Sequence, residues 1–516
     1  MTDPNTVPRD NRSIHPIDEQ APGISGMSIY VPSARVPLKD WCAWTENPWE
    51  KVEKVVGRSF RVPAPFENVY TMAANAVLRL IIRYEIDPER VGFLGLGTES
   101  SSDNAAGAVI VRGMVDHALS DLGKPRLARE LEVPEFKHAC LGGVYALKSA
   151  LRYVACDGKD RYAIVVSADI AEYERGSSGE QTQGAGAVAM LVEHQPKMLA
   201  LDLGRSGSAS SYRGPDFRKP FARHFSQEYA PNTKRLSDFP IFSGRYSTYA
   251  YLDETVHAVE RMLERVDVKT GTYYDSVRAL FFHRPYHHMP ISAMSFLYVR
   301  GLARSHHHVQ EFDEICKLAG VTSEAVLSET KTTPDLYDRV MKGQAEEDPY
   351  PATSQAASTL RRQPKFRELL GEKLGLGGEL VKDLGNLYSA ALPAWIAAGF
   401  EEAVQSGEEL QGASMVMIGY GSGDAAEAIP MTAVPGWQKA ARLIGFAEAL
   451  TSATDLKREE YEALHDGLPL GTALESVSSG LAQVLKPSGQ FAIHRVGDTY
   501  DENFQDLAVE YYEYVK

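Results

Sequence analysis

Short, branched, apolar runs recur along this chain, each bounded by glycine or a charged residue and each paired with a longer amphipathic segment. "VGFLGLGT" (91–98), "RYAIVVSAD" (161–169) and "GAVAMLVE" (186–193) have the length of strands buried on both faces. "SVRALFFHRP" (276–285) and "ASMVMIGYGSG" (413–423) repeat the pattern in the second half. Helical spacing marks 71–86, 251–266 and 387–405 between them. Strands alternating with helices predict an α/β protein with largely buried sheets. The recurrence predicts two similar halves, 23–200 and 201–516. The stretch 301–380 reads as helical insertions joined by polar loops, the tail from 435 lacks strong periodicity, and 1–22 reads as a disordered leader.

The chain has 516 residues and a formal charge of −15, which argues against a nucleic-acid surface or a polybasic membrane anchor. No apolar run approaches the roughly 20 residues of a membrane helix. Four cysteines, Cys42, Cys140, Cys156 and Cys316, show no CxxC spacing. Neither a disulfide framework nor a zinc site is expected, and a reducing, cytoplasmic setting is the default.

One cysteine stands apart. In "EFKHACLGGVYALKSAL" (135–151), Val144, Leu147, Leu151 and Val154 mark one face of a helix, which puts Cys140 at or just before its N-terminus. Free backbone N–H groups and the helix dipole would lower the thiol pKa there, whereas a buried, inert thiol is the plain alternative. Cys42, Cys156 and Cys316 lack this setting. "GLGTES" places Glu99 in the loop after a buried strand, where ligands of α/β sheets gather and where burial would raise a carboxyl pKa toward the range of a general base. "FFHRPYHHMP" puts His283 at another strand end, with a satisfied core histidine as the alternative. His287, His288 and His306 to His308 lack the spacing of metal ligands, so no metal is expected. "VVSADIAEY" presents Asp169 and Tyr173 just after a strand, "GYGSG" offers Ser422 in a tight turn, and "LGNLYS" offers the Asn386 amide.

Taken in order, "GTES", "KHACLGG", "SADIAEY…GAGAVAML", "DFRKP", "FHRPY", "GNLYS" and "GYGSG" resemble the 3-hydroxy-3-methylglutaryl-CoA (HMG-CoA) synthase family of the thiolase superfamily. The resemblance runs from about residue 23 to the C-terminus. It implies a thiolase-like duplicated fold, two halves in alternating α-β-α-β-α layers, forming a homodimer. It assigns Glu99, Cys140 and His283 as the catalytic triad, Asp169 and Asp216 (in "PDFRKP") as supporting acids, and Tyr173, Asn386 and Ser422 as lining the acyl site. The implied reaction condenses acetyl-CoA, carried as acetyl-Cys140, with acetoacetyl-CoA, without a metal or redox cofactor, in mevalonate-pathway isoprenoid synthesis.

The chain departs from the family pattern on the side of the second substrate. His288 stands where a CoA-phosphate lysine is usual, Ser243 replaces an aspartate in "FPIFSGR", and 223–236 reads as an extra loop. Arg245 or Arg284 could compensate for the missing lysine. These departures leave open an acceptor held on an acyl carrier protein, as in polyketide β-branching, and, from a different class, a non-catalytic thiolase-fold scaffold.

Overall fold

The five apolar runs become strands of one ten-stranded sheet. The computed structural model describes residues 21–219, 239–241, 243–266, 270–468, 487–501 and 503–516. Residues 1–20 of the expected leader and the extra loop at 223–236 lie outside the described residues. The strands are β1 (Gly23–Tyr30), β2 (Val91–Gly97), β3 (Glu135–Phe136), β4 (Tyr162–Ala171), β5 (Gly184–Glu193), β6 (Leu199–Leu201), β7 (Gly207–Ser210), β8 (Ala279–Phe282), β9 (Ser414–Gly421) and β10 (Ala425–Ala433). Their order across the sheet is β8-β9-β10-β6-β1-β5-β4-β2-β3, with β7 pairing β10 off this path.

One unit occurs twice within that order. β1 lies antiparallel to β5, β5 antiparallel to β4, and β4 parallel to β2. β7, β10, β9 and β8 repeat these three relations in the same chain order. β6 pairs with both β1 and β10 and so joins the two units. Parallel neighbours need crossover helices. The first unit has α1 (Val69–Arg83), α2 (Gly107–Asp121) and α3 (Gly142–Ala155); the second has α4 (Arg245–Val266), α5 (His288–Ala303) and α6 (Ala391–Ser406).

The period-2 alternation of strand side chains decides which helices cover which face. On β4, Ile164, Val166 and Ala168 pack toward α1 and α2, whereas Ala163 and Val165 share a core with α3. In the second unit α4 covers β7, β9 and β10, and α6 packs on β8, β9 and also β1. Helices α3 and α6 therefore lie between the two half-sheets, giving alternating helix and sheet layers. Local signals agree with the packing. Asn68 caps α1 by accepting from the Tyr70 and Thr71 N–H groups, both at 2.9 Å, while Thr71 Oγ1 accepts from the Asn68 N–H at 2.8 Å. Such a reciprocal cap contributes about 1 kcal/mol.

The stretch 301–380 holds five helices, Val309–Ala319, Ser323–Glu329, Leu336–Met341, Pro351–Leu360 and Pro364–Leu374. The tail is more ordered than its weak periodicity suggests: α7 (Arg458–His465) docks on the first unit, and Gln490–Val496 pairs with Glu510–Val515 as a hairpin beside α1. Tertiary contacts, such as the Phe491 N–H to Asn75 Oδ1 bond at 2.9 Å, hold segments that carry little signal of their own. Among the described residues no helix is long and apolar enough to cross a membrane.

Candidate active site

Glycines on two strands fix the N-terminus of α3. A Cβ on Gly97 of β2 would fall 2.4 Å from the Gly143 Cα, and one on Gly421 of β9 would fall 2.6 Å from the His138 carbonyl oxygen. Side chains at either position would push the strands off the helix, so strands of both units close on the start of α3 beside Cys140. No side chain caps α3, and Ala139, just before the cysteine, has φ 43°. Positive φ in a non-glycine residue marks a backbone held by its surroundings.

β2 ends at Gly97, and the next turn brings Glu99 Oε2 to 3.7 Å from Cys140 Sγ, within reach of a thiol hydrogen bond. Asp169 holds that turn in place. Its Oδ1 accepts from the Glu99 N–H at 2.7 Å, the Ser100 N–H at 3.0 Å, Thr98 Oγ1 at 3.0 Å and Ser100 Oγ at 2.7 Å. Its Oδ2 accepts from the Ser389 N–H at 2.9 Å and from the Ser389 hydroxyl. Asp169 lies inside β4 rather than after it, fully buried, and ties the Glu99 turn to the residues that precede α6. A carboxylate so placed acts through the groups it holds.

Burial dominates the electrostatics. It pushes the Glu99 carboxyl up to about 8, helped by the nearby charge of Asp169, while Lys219, the Cys140 thiol and Lys137 pull the other way. The Cys140 thiol is pushed well above its ordinary range, first by burial and then by the charges of Glu99 and Asp169. This reverses the lowering expected from the helix N-terminus: two carboxylates in a desolvated pocket outweigh a partial dipole charge. The resting cysteine is a protonated thiol facing a carboxyl group with a pKa near neutrality.

His283 follows β8 and is 2 % exposed. Burial lowers its pKa to about 3, so the ring is neutral. Its Nδ1 has no protein hydrogen-bond partner among the described residues. The ring lies against Tyr420, with centroids 6.4 Å apart and planes at 25°, and its backbone carbonyl accepts from Tyr251 OH at 2.9 Å. Tyr420 OH in turn contacts Asp216 Oδ2 at 2.8 Å.

The remaining expected residues divide. Tyr173 clusters with Cys140, Ala171, Tyr388 and Phe217. Asn386 is buried, but its Oδ1 is engaged by the Tyr388 N–H at 2.9 Å. Ser422 is half-buried in the turn after Gly421. Cys42 and Cys316 are buried with thiol pKa values raised by burial, and Cys156 is exposed. Among the described residues no group of three or more His, Cys, Asp or Glu is placed to hold a metal.

Residues 18–197 match the family model described as hydroxymethylglutaryl-coenzyme A synthase N terminal. The hydroxymethylglutaryl-CoA synthase of Haloferax volcanii is 26% identical over 454 residues, covering 86% of this chain and 91% of that protein. The chain is thus similar to hydroxymethylglutaryl-CoA synthases, by family model over its N-terminal part and by this relative over most of its length. Two solved structures share its fold: one described as MvaS in complex with 3-hydroxy-3-methylglutaryl coenzyme A, and one as the curacin biosynthetic pathway HMG synthase in complex with acetyl donor-ACP. The first has TM-score 0.72 and 23% identity over 96% of this chain and 99% of its own. The second has TM-score 0.68 and 20% identity over 96% of this chain and 100% of its own.

The motifs point to Glu99, Cys140 and His283 but not to everything around them. Tyr388, φ 45°, stands three residues before α6 as Ala139 stands three before α3, so Ser389 is the second unit's counterpart of Cys140. The Tyr388 hydroxyl is buried without a hydrogen-bond partner among the described residues. Only the duplicated topology reveals that equivalence. At the departure from the hydroxymethylglutaryl-CoA synthase pattern, His288 is half-buried, and its pKa is lowered by burial and then by Arg361. Arg361, from the insertion helices, forms no ion pair among the described residues. Of the two arginines expected to compensate, Arg245 is exposed at the start of α4, whereas Arg284 is buried against Trp395.

Proposed function

We propose that the protein is a hydroxymethylglutaryl-CoA synthase in which Cys140 carries the acetyl group, Glu99 moves the protons and His283 positions the acceptor ketone. The observation that carries this reading is the Glu99–Cys140 contact at 3.7 Å in a buried pocket. Glu99 takes the thiol proton as sulfur attacks acetyl-CoA, and that proton leaves with CoA. Its pKa of about 8 suits both directions of transfer near neutral pH. Glu99 then removes a proton from the acetyl methyl group, and the enolate adds to C3 of acetoacetyl-CoA. Backbone N–H groups at the uncapped start of α3 stabilise the enolate oxygen. Glu99 returns its proton to the new alkoxide beside the neutral His283, and water cleaves the thioester to release HMG-CoA and the free thiol. Tyr173, Tyr388 and Phe217 form the acyl wall; Asp216, Asn386 and Ser422 complete the substrate site.

Arg361 beside His288 supports a CoA-bound acceptor, because it supplies the cation that the histidine does not. The neutral state of His288 supports the second reading, in which the β-ketoacyl acceptor rides on a carrier protein. The first reading extends to a cytoplasmic homodimer feeding isoprenoid synthesis through the mevalonate pathway. The four free cysteines and the acidic composition are in keeping with that compartment. The test is to incubate the protein with labelled acetyl-CoA, map the label, and then supply acetoacetyl-CoA or an acetoacetyl carrier protein. Label on Cys140 and turnover with acetoacetyl-CoA are expected. No label on Cys140 sinks both readings, and turnover only with the carrier selects the second.

A further inference from the structure

The Tyr420 hydroxyl lies 2.8 Å from Asp216 Oδ2 and 2.9 Å from Asp424 Oδ1. A phenol has one proton and donates it to one acceptor, so the other carboxyl group can bond to the same oxygen only by carrying a proton itself. All three residues are buried: Asp216 at 0 %, Asp424 at 3 % and Tyr420 at 5 % exposure. Asp216 Oδ1 has no partner among the described residues.

Among the described residues, the surroundings are short of positive charge. Asp424 comes from the turn just before β10, Tyr420 from β9 and Asp216 from the segment after β7. Arg213 spends one guanidinium nitrogen on Asp253 and Glu254 of α4, and its Nε stands 3.8 Å from Asp424 Oδ2. His257 Nε2 lies 3.4 Å from Asp253 Oδ1 at the rim, and Tyr350 OH also donates to Asp253. Among the described residues, Tyr246, Tyr251 and the neutral His283 also face this group. Among the described residues one guanidinium thus meets three buried carboxyl groups, Asp253, Glu254 and Asp424, and burial with the charge of Asp216 pushes Asp424 up to about 9.

Tyr420 is also the surface on which His283 rests. The imidazole has no hydrogen bond at Nδ1 to orient it, so packing against Tyr420 sets its plane, and Tyr251 braces Tyr420 at a centroid distance of 4.8 Å. We propose that Asp424 is a positioning residue: it shares one proton with Asp216 across the Tyr420 hydroxyl, and this bridge fixes the aromatic wall that holds His283 for the condensation step. The role of His283 rests on the function proposed above; the shared proton does not. Loss of that proton leaves two carboxylates facing one phenol, and the wall loosens.

The experiment compares wild type, Asp424→Asn and Asp424→Ala. Asparagine can donate to Tyr420 without titrating; alanine cannot donate at all. Wild-type kcat is expected to fall on the alkaline side, and Asp424→Asn should move that limb upward by about one pH unit or more while keeping turnover at neutral pH. Asp424→Ala should lower kcat about tenfold or more, with little change in KM and with Cys140 still acetylated. An unchanged alkaline limb in Asp424→Asn, or wild-type kcat in Asp424→Ala, overturns the positioning role. Infrared difference spectra at neutral pH should show a protonated-carboxyl band in wild type that Asp424→Asn lacks, and absence of that difference overturns the shared proton. If wild type never acetylates Cys140, the proposed function fails while the infrared comparison still decides the bridge.

Discussion

Glu99 and Cys140 face each other at 3.7 Å, and the backbone N–H of the glutamate is itself held 2.7 Å from the Asp169 carboxylate. The Glu99–Cys140 pair is thus set by a third residue, Asp169, that holds the glutamate turn. Burial and the charge of Asp169 raise the Glu99 pKa, and burial with the charges of Glu99 and Asp169 raises that of the Cys140 thiol.

That coupling predicts how the thiol reacts. Alkylation of Cys140 by iodoacetamide should be slow at neutral pH and rise only above the ordinary thiol range, since the thiolate is the nucleophile. Glu99→Gln removes a neighbouring negative charge, so it should shift the rate–pH curve to lower pH. A curve that does not move, or moves upward, would show that Glu99 does not control the thiol.

Asp169 should behave as a structural tie. An asparagine can accept through one oxygen only, leaving donors from Glu99, Ser100 or Ser389 buried and unpaired. Asp169→Asn should cost about 3 kcal/mol, the scale of a hydrogen bond to a charged group lost in the interior. Denaturant midpoints measure this, and a loss of activity without any loss of stability would contradict the role.

The Gly97–Gly143 approach makes a sharper demand. Gly97→Ala puts a methyl group against backbone that cannot rotate away, so β2 and α3 must separate. A destabilisation of about 1–3 kcal/mol is expected. Turnover should fall further than stability alone explains, because the shift also lengthens the Glu99–Cys140 contact. Wild-type turnover in a folded Gly97→Ala protein would refute the clamp.

Stability should depend on pH in two opposed ways. The folded-state pKa of Glu99 is raised to about 8, so between the ordinary carboxylate range and pH 8 the folded protein holds a proton that the unfolded chain has released. Stability therefore falls as pH rises through that window. His283 is lowered to about 3, so between pH 3 and the ordinary histidine range the unfolded chain binds the extra proton, and stability rises with pH. Thermal melts of Glu99→Gln should lose part of the fall between the ordinary carboxylate range and pH 8, and those of His283→Asn part of the rise between pH 3 and the ordinary histidine range. Melts parallel to wild type would show that neither group is desolvated as described.

Apolar runs such as 161–169 and 186–193 declared buried strands by themselves, because a strand covered on both faces must be apolar throughout. Likewise the spacing of Val144, Leu147, Leu151 and Val154 was enough to place Cys140 at a helix start. The motif order was enough to single out Glu99 and His283. The direction of the Cys140 pKa was not legible, since a helix N-terminus is a local feature whereas the carboxylates that oppose it arrive from β2 and β4. Nor were Tyr388, Asp424 and Arg361, whose significance lies in what faces them across the fold. Sequence periodicity determined the elements and which ends carry chemistry, because burial imposes its pattern residue by residue. Only the tertiary structure decided the charge state of the site, because desolvation and Coulomb forces depend on distances between segments that the chain order does not contain.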